Sequence, residues 1–183
     1  MKVAEGVYLM PDLLTPVECR ESIEATEAKG YGDAPITTTS GFELRPDIRN
    51  NTRVIVDDSE LAESLWQRSR NEIPCFLKGR QAFGLNERFR FYRYDPGERF
   101  ALHRDGSYRR DNGEMSLLTF MIYLNEGFIG GETVVEGFSI TPKQGMALIF
   151  EHQLLHEGAA VVSGRKYVLR SDVMFGRVGQ TRG

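Results

Sequence analysis

Residues 93–105 read RYDPGERFALHRD, and the fold can be worked outward from them. The preceding run RFRFYRY, Arg88 to Tyr94, alternates Phe89 and Phe91 against Arg90, Tyr92 and Tyr94, which is the period of a strand. Asp95-Pro96-Gly97 reads as a turn, and a second strand is expected to carry His103 and Asp105. Residues two apart on a strand project to one face, so His-x-Asp aims an imidazole and a carboxylate at one point. A further histidine would complete a two-histidine, one-carboxylate facial triad, the donor set that holds non-haem Fe(II) and leaves positions open. Alone the pair is weak, because an exposed strand end gives the same pattern.

The third donor must come from the chain's two other histidines, His152 and His156. Four residues apart, they would share a face of a helix, as zinc sites use. Here FEHQLLHEG joins two strands, so His156, directly before Glu157-Gly158 and a new strand, is the better candidate, with His152 the substitute. A surface loop position is a reasonable alternative for His152.

From Arg88 onward the chain reads as all β. SLLTFMIYLN, Ser116 to Asn125, sets Leu118, Phe120, Ile122 and Leu124 opposite Leu117, Thr119, Met121 and Tyr123. Short strands are predicted at 133–135, 138–141, 146–150, 158–162 and 166–175. Turn signals at Gly130-Gly131, Pro142 to Gly145 and Ser163-Gly164 separate them. Such spacing without intervening helices points to a sandwich or jelly roll.

The first half is mixed. Val7 to Met10 suits an edge strand, and Thr15-Pro16-Val17-Glu18 is a capping box opening a helix that should end at Lys29 before Gly30. Tyr31 to Asn51 has no period and reads as an irregular lid or binding loop. Thr52 to Val56 is a short strand. Ser59 is expected to cap a second helix with Leu61, Leu65 and Ile73 on one stripe and Pro74 closing it. The expected organisation is one α+β domain over 1–183. It comprises helical support and a lid in 1–87, a double-stranded β-helix core in 88–175 with the helices packed on one sheet, and a frayed tail in 176–183.

A net charge of -3 gives no general pull toward nucleic acid or a membrane surface. The N-terminus lacks an apolar run of signal-peptide type, and no stretch approaches the roughly 20 apolar residues of a membrane span. Cys19 and Cys75 make no metal spacing and read as two buried free thiols of a reducing, cytoplasmic compartment, which also suits ferrous iron. On KYVLRSDVMF, Lys166, Val168 and Arg170 share a face opposite Tyr167, Leu169 and Ser171. Pointing inward, the two cations would need an anionic partner; pointing outward, they would be solvated. The pattern leaves both readings open.

Taken in order, R-Y-x-x-G-x-x-F-x-x-H-x-D from Arg93, T-x-x-x-Y-L-N-x-x-F-x-G-G-E-T from Thr119, P-x-x-G-x-A-L-x-F from Pro142, H-x-G at His156 and G-x-K-Y at Gly164 resemble the Fe(II)/2-oxoglutarate-dependent oxygenases, in particular the prolyl 4-hydroxylase-like branch. The resemblance spans about residues 88–175. It implies His103, Asp105 and His156 as iron ligands, and Lys166 with Tyr123 on the distal carboxylate of 2-oxoglutarate, Tyr94 and Thr119 lining the same pocket. It also implies O2 as oxidant, ascorbate as a reductant, and hydroxylation of an unactivated C–H bond with release of succinate and CO2. A prolyl residue of a protein or peptide, a free amino acid or another small metabolite would be the substrate.

Arg170 departs from the pattern; sharing the co-substrate carboxylate, binding substrate, or pairing with Asp172 or Glu157 are its options. Arg49 to Arg53 (RNNTR) and the loop 106–115 are assigned to the substrate side, where Arg104, Arg109 and Arg110 either favour an acidic substrate or form a solvated cluster. Two rival classes stand beside this one: a cupin-like metal enzyme without a 2-oxo acid, and a non-catalytic jelly-roll binding module.

Overall fold

The computed structural model describes residues 1–38 and 41–177. Its main sheet is antiparallel, with strands in the order Lys2–Ala4, Val7–Met10, Ala147–Glu151, Met115–Tyr123, Lys166–Arg177, Arg88–Tyr94, Thr52–Asp57 and Gly32–Asp33. Arg80–Leu85 continues the edge of Lys166–Arg177 beyond the end of Arg88–Tyr94 and pairs with Phe76–Leu77. A smaller sheet runs Phe100–His103, His156–Gly158, Thr133–Val135 and Phe138–Ile140. The two sheets form the double-stranded β-helix expected for 88–175, with the N-terminal segment adding strands as well as helices.

Register decides which side chains enter the barrel. Across the main sheet, Phe150, Thr119 and Asp172 are paired neighbours, as are Leu148, Met121, Arg170 and Arg90, and then Tyr123, Val168, Tyr92 and Arg53. Because strand side chains alternate, these residues share the inner face, where a core of Tyr92, Tyr94, Tyr123, Leu148, Phe150 and Val168 forms. The opposite face, with Phe89, Phe91, Phe120, Ile122, Ile149 and Leu169, packs into the second core with the helices. Lys166, Val168 and Arg170 therefore face inward.

Helix α1 (Pro16–Lys29) has the expected capping box: Thr15 Oγ1 accepts from the Glu18 amide at 3.2 Å and Glu18 accepts from the Thr15 amide at 2.7 Å. Gly30, at φ 80°, ends it. Tyr167 donates to Glu27 at 2.6 Å and Arg93 lies 3.2 Å from the same carboxylate, tying this helix to the sheet. Helix α2 (Ser59–Ser69) is capped by Asp58, which accepts from the Leu61 amide at 2.9 Å, and not by Ser59 as expected. It buries Leu65 and Trp66 and ends well before Pro74.

Other expectations are corrected. The segment 31–51 is not wholly irregular: Gly32–Asp33 joins the main sheet and Ile36–Thr38 pairs with Gly41–Glu43. The strand of residues 100–103 ends at His103, leaving Asp105 just past it. Cys75 is exposed; only Cys19 is buried. Gly176 and Arg177 are ordered in a strand, because Gln81 and Arg80 pair with them; the rest of the expected tail, 178–183, lies outside the described residues. Among the described residues no helix is long and apolar enough to cross a membrane.

Candidate active site

His103 and His156 are register partners on adjacent strands of the small sheet. Each ring is fixed by its own backbone: His103 Nδ1 lies 2.7 Å from the Ala101 carbonyl and His156 Nδ1 2.9 Å from that of Leu154. A carbonyl only accepts, so both Nδ1 atoms carry the proton and both Nε2 lone pairs are free to ligate. Asp105 is held by its amide, which donates to the His152 carbonyl at 3.0 Å. Its Oδ1 lies 3.7 Å from His103 Nε2 and its Oδ2 3.5 Å from His156 Nε2. Donors facing one octahedral ion at ordinary bond lengths stand roughly 3 Å apart, so the set needs only a small contraction to hold a metal. Among the described residues this is the one His/Cys/Asp/Glu cluster of that kind.

Electrostatics keeps His156 and Asp105 in their ligating forms. Burial pushes the His156 imidazole down to about 4, hence neutral at physiological pH. Burial alone would raise the Asp105 carboxyl, yet Arg170, the two histidines and Thr119 hold it well below the usual carboxylate range. Arg170 Nη2 stands 3.0 Å from Asp105 Oδ2 and 3.2 Å from Asp172 Oδ1. Of its possible roles, pairing with Asp172 is present and Asp105 is an unforeseen second partner.

Thr119 donates to Asp105 Oδ2. His152 is buried, not a surface loop residue, and stays outside the cluster: its Nδ1 donates to Thr119 at 2.9 Å and its Nε2 accepts from Ser116 Oγ at 2.9 Å. Thr119, expected beside the co-substrate pocket, thus braces the carboxylate. The Ser116–His152–Thr119 relay carries no sequence signal, since its members meet only by strand pairing.

Deeper in the barrel Lys166 is 2 % exposed. Its Nζ donates to the Gly131 carbonyl at 2.6 Å and sits 5.1 Å and 5.5 Å from the ring centres of Tyr94 and Tyr123. No carboxylate among the described residues pairs with it, and burial lowers its ammonium to about 8. Tyr94 is pushed up to about 12 by burial, and the Tyr123 hydroxyl donates to Thr133 at 2.7 Å.

The loop 106–115 is less open than its composition suggests. Arg110 pairs with Glu114 at 2.8 Å and with Glu87, and Arg104 donates to the Gln153 carbonyl. Two of the three candidate loop arginines are therefore engaged. Phe100 was not singled out by sequence; its ring stacks on His103 with centres 3.6 Å apart.

A family model described as the 2OG-Fe(II) oxygenase superfamily matches residues 89–171. Over those residues the chain is similar to the 2-oxoglutarate- and Fe(II)-dependent oxygenases. Among solved structures, this oxygenase resembles a viral collagen prolyl hydroxylase from Paramecium Bursaria Chlorella virus-1, in its 2-oxoglutarate complex, at 25% identity and TM-score 0.66 over 94% of this chain and 99% of that one. In fold it also resembles a Pseudomonas putida prolyl-4-hydroxylase (18% identity, TM-score 0.67, 95% and 94% covered). A third is a Trichoplax adhaerens prolyl hydroxylase in complex with a hypoxia inducible factor peptide fragment (15%, TM-score 0.69, 92% and 83% covered). No protein of curated function matches the chain in sequence. The family match and the fold support a Fe(II)- and 2-oxoglutarate-dependent hydroxylase, with Fe(II), 2-oxoglutarate and O2 as its cofactors. The donor set fits a ferrous ion, and the unpaired Lys166 ammonium fits a dicarboxylate.

Proposed function

We propose that residues 1–183 form one oxygenase domain that hydroxylates an unactivated C–H bond of a prolyl residue or an amino-acid-like substrate. In the balanced reaction one oxygen atom of O2 enters the substrate as hydroxyl and the other enters succinate, while C1 of 2-oxoglutarate leaves as CO2. His103, Asp105 and His156 hold the iron, which when bound supplies the oxidising chemistry. Thr119 and Arg170 occupy Asp105 Oδ2, leaving Oδ1 as the freer donor. Lys166, with Tyr123 and Tyr94 around it, takes the distal carboxylate of 2-oxoglutarate and so fixes the orientation of its keto end by a charge-assisted bond. A peptide substrate is supported by the peptide bound to the Trichoplax relative.

The observation that carries this reading is the buried Lys166 ammonium without an ion-pair partner among the described residues. The triad alone suits a cupin-like enzyme equally well, whereas that cation has no task unless a carboxylate enters. The test is substrate-independent conversion of 2-oxoglutarate to succinate with Fe(II) and ascorbate. Asp105→Ala and His156→Ala are expected to abolish it, and Lys166→Ala to raise the KM for 2-oxoglutarate at least about tenfold, the scale of one lost charge-assisted bond. Undiminished succinate formation by the Asp105 variant would refute the assignment.

A further inference from the structure

Arg49 is 7 % exposed and is clamped on both faces, its guanidinium carbon 4.3 Å from the centre of the Tyr92 ring and 4.4 Å from that of Phe100. Its Nε donates to Asn51 Oδ1 at 2.7 Å. Its Nη2 is buried and has no hydrogen-bond partner. Stacking accounts for where the guanidinium plane sits but leaves that N–H unused, and buried donors are seldom left so.

Two routes place this donor beside the metal cluster. Phe100, on one face of Arg49, stacks directly on His103. Tyr92, on the other, shares the inner face of the sheet with Arg170 on the adjacent strand, and Arg170 contacts Asp105. The charge balance at this end of the barrel is positive. Arg90 and Arg170 use Asp172 and Asp105 as partners, whereas Arg49 and Arg53 have no ion pair among the described residues. Arg53 is the register partner of Tyr92 and so shares its face. Complete burial would raise the Tyr92 phenol, but the facing arginines lower it, as an excess of cations requires.

We propose that Arg49, supported by Arg53, receives a carboxylate carried by the substrate, so that the molecule hydroxylated is an acid. This rests on the hydroxylase reading above and narrows its substrate class. A neutral carbonyl would satisfy the free N–H but would leave the two arginines without counter-charge. A carboxylate does both, through the forked geometry that guanidinium offers it. Lys166 is a separate cation with its own carbonyl partner, so substrate and co-substrate each have a receptor.

The test uses enzyme loaded anaerobically with Mn(II) and 2-oxoglutarate, titrated calorimetrically with the free proteinogenic amino acids and their carboxamides, and with capped Ala-Pro-Asp and Ala-Pro-Asn peptides. The same compounds are then assayed for stimulation of succinate formation by the Fe(II) enzyme. At least one acid is expected to bind ten or more times tighter than its amide. Arg49→Gln should bring that ratio near one, and Arg49→Lys should retain part of it. The free acids and the acidic peptide distinguish a small substrate from an acidic side chain, and preference in either arm supports the receptor. Equal binding of acids and amides, no binding by any acid, or a variant that keeps the ratio while its 2-oxoglutarate requirement rises would each overturn the proposal. Failure of the hydroxylase reading looks different: wild-type enzyme would then form no succinate from 2-oxoglutarate at all.

Discussion

Lys166 shows at the scale of one residue how a site is built against stability. Burial lowers its ammonium from an ordinary 10.5 to about 8. A folded-state value below the unfolded one means that the protonated lysine favours unfolding. The penalty is fully present below about pH 8, diminishes from there to about 10.5, and is absent above. At 1.36 kcal/mol per unit it amounts to roughly 3 kcal/mol at neutral pH. Lys166→Met is therefore expected to raise the stability of the apo protein at pH 7 by about 1–3 kcal/mol, less whatever the lost Gly131 bond contributed, and to show a smaller advantage at pH 10. Urea midpoints at the two pH values measure this; a variant equally destabilised at both would contradict an uncompensated cation. The 2-oxoglutarate affinity of the wild type should likewise decline as pH rises above the lysine's range.

Among elements, the Gly130-Gly131 turn matters most, because it places the carbonyl that Lys166 uses. Gly131 sits at φ 71°, and a Cβ there would stand 3.1 Å from Val161 Cγ2 and 3.2 Å from both Lys166 Cδ and Phe128 Cε2. A non-glycine residue at positive φ costs about 1–2 kcal/mol before any crowding. Gly131→Ala is expected to lower stability by that amount and to raise the KM for 2-oxoglutarate several-fold, while the affinity for iron, whose proposed ligands are elsewhere, moves much less. Thermal melts together with 2-oxoglutarate saturation curves check both; a loss of stability with an unaltered KM would mean the turn does not position the lysine. The long strand Lys166–Arg177 shows the same dependence on placement. A one-residue slip against Met115–Tyr123 would turn Lys166, Arg170 and Asp172 out of the barrel.

At the scale of the molecule, the site joins the two sheets. His103 and His156 come from the small sheet, Thr119, Lys166 and Arg170 from the large one, and Asp105 from the crossing between them. Metal and co-substrate bound together should therefore brace one layer against the other. Saturation at a hundredfold over Kd contributes about 2.7 kcal/mol to the folded state, or about 5–10 °C in Tm for a chain of this size. Differential scanning fluorimetry with Mn(II) plus 2-oxoglutarate, against 2-oxoglutarate alone, is expected to show that rise, and chelation to remove it. Identical melting curves with and without the pair would argue against ligands that span the layers.

The sequence by itself determined whatever is written in local order. It contained the alternation of RFRFYRY, the capping box at Thr15, the His-x-Asp spacing and the run of short strands with their glycine turns, because these depend on residues a few positions apart. Only the tertiary structure decided which face of KYVLRSDVMF is inside, that His156 rather than His152 joins His103 and Asp105, and that Arg170 rests on Asp105. It also made the short strands of 31–43, whose pairing partners no local period reveals, and exposed Cys75. The physical reason is the same throughout. A strand's pattern of side chains is symmetric between its two faces until neighbouring strands fix the register, and a buried charge chooses its partner only after the barrel has closed around it.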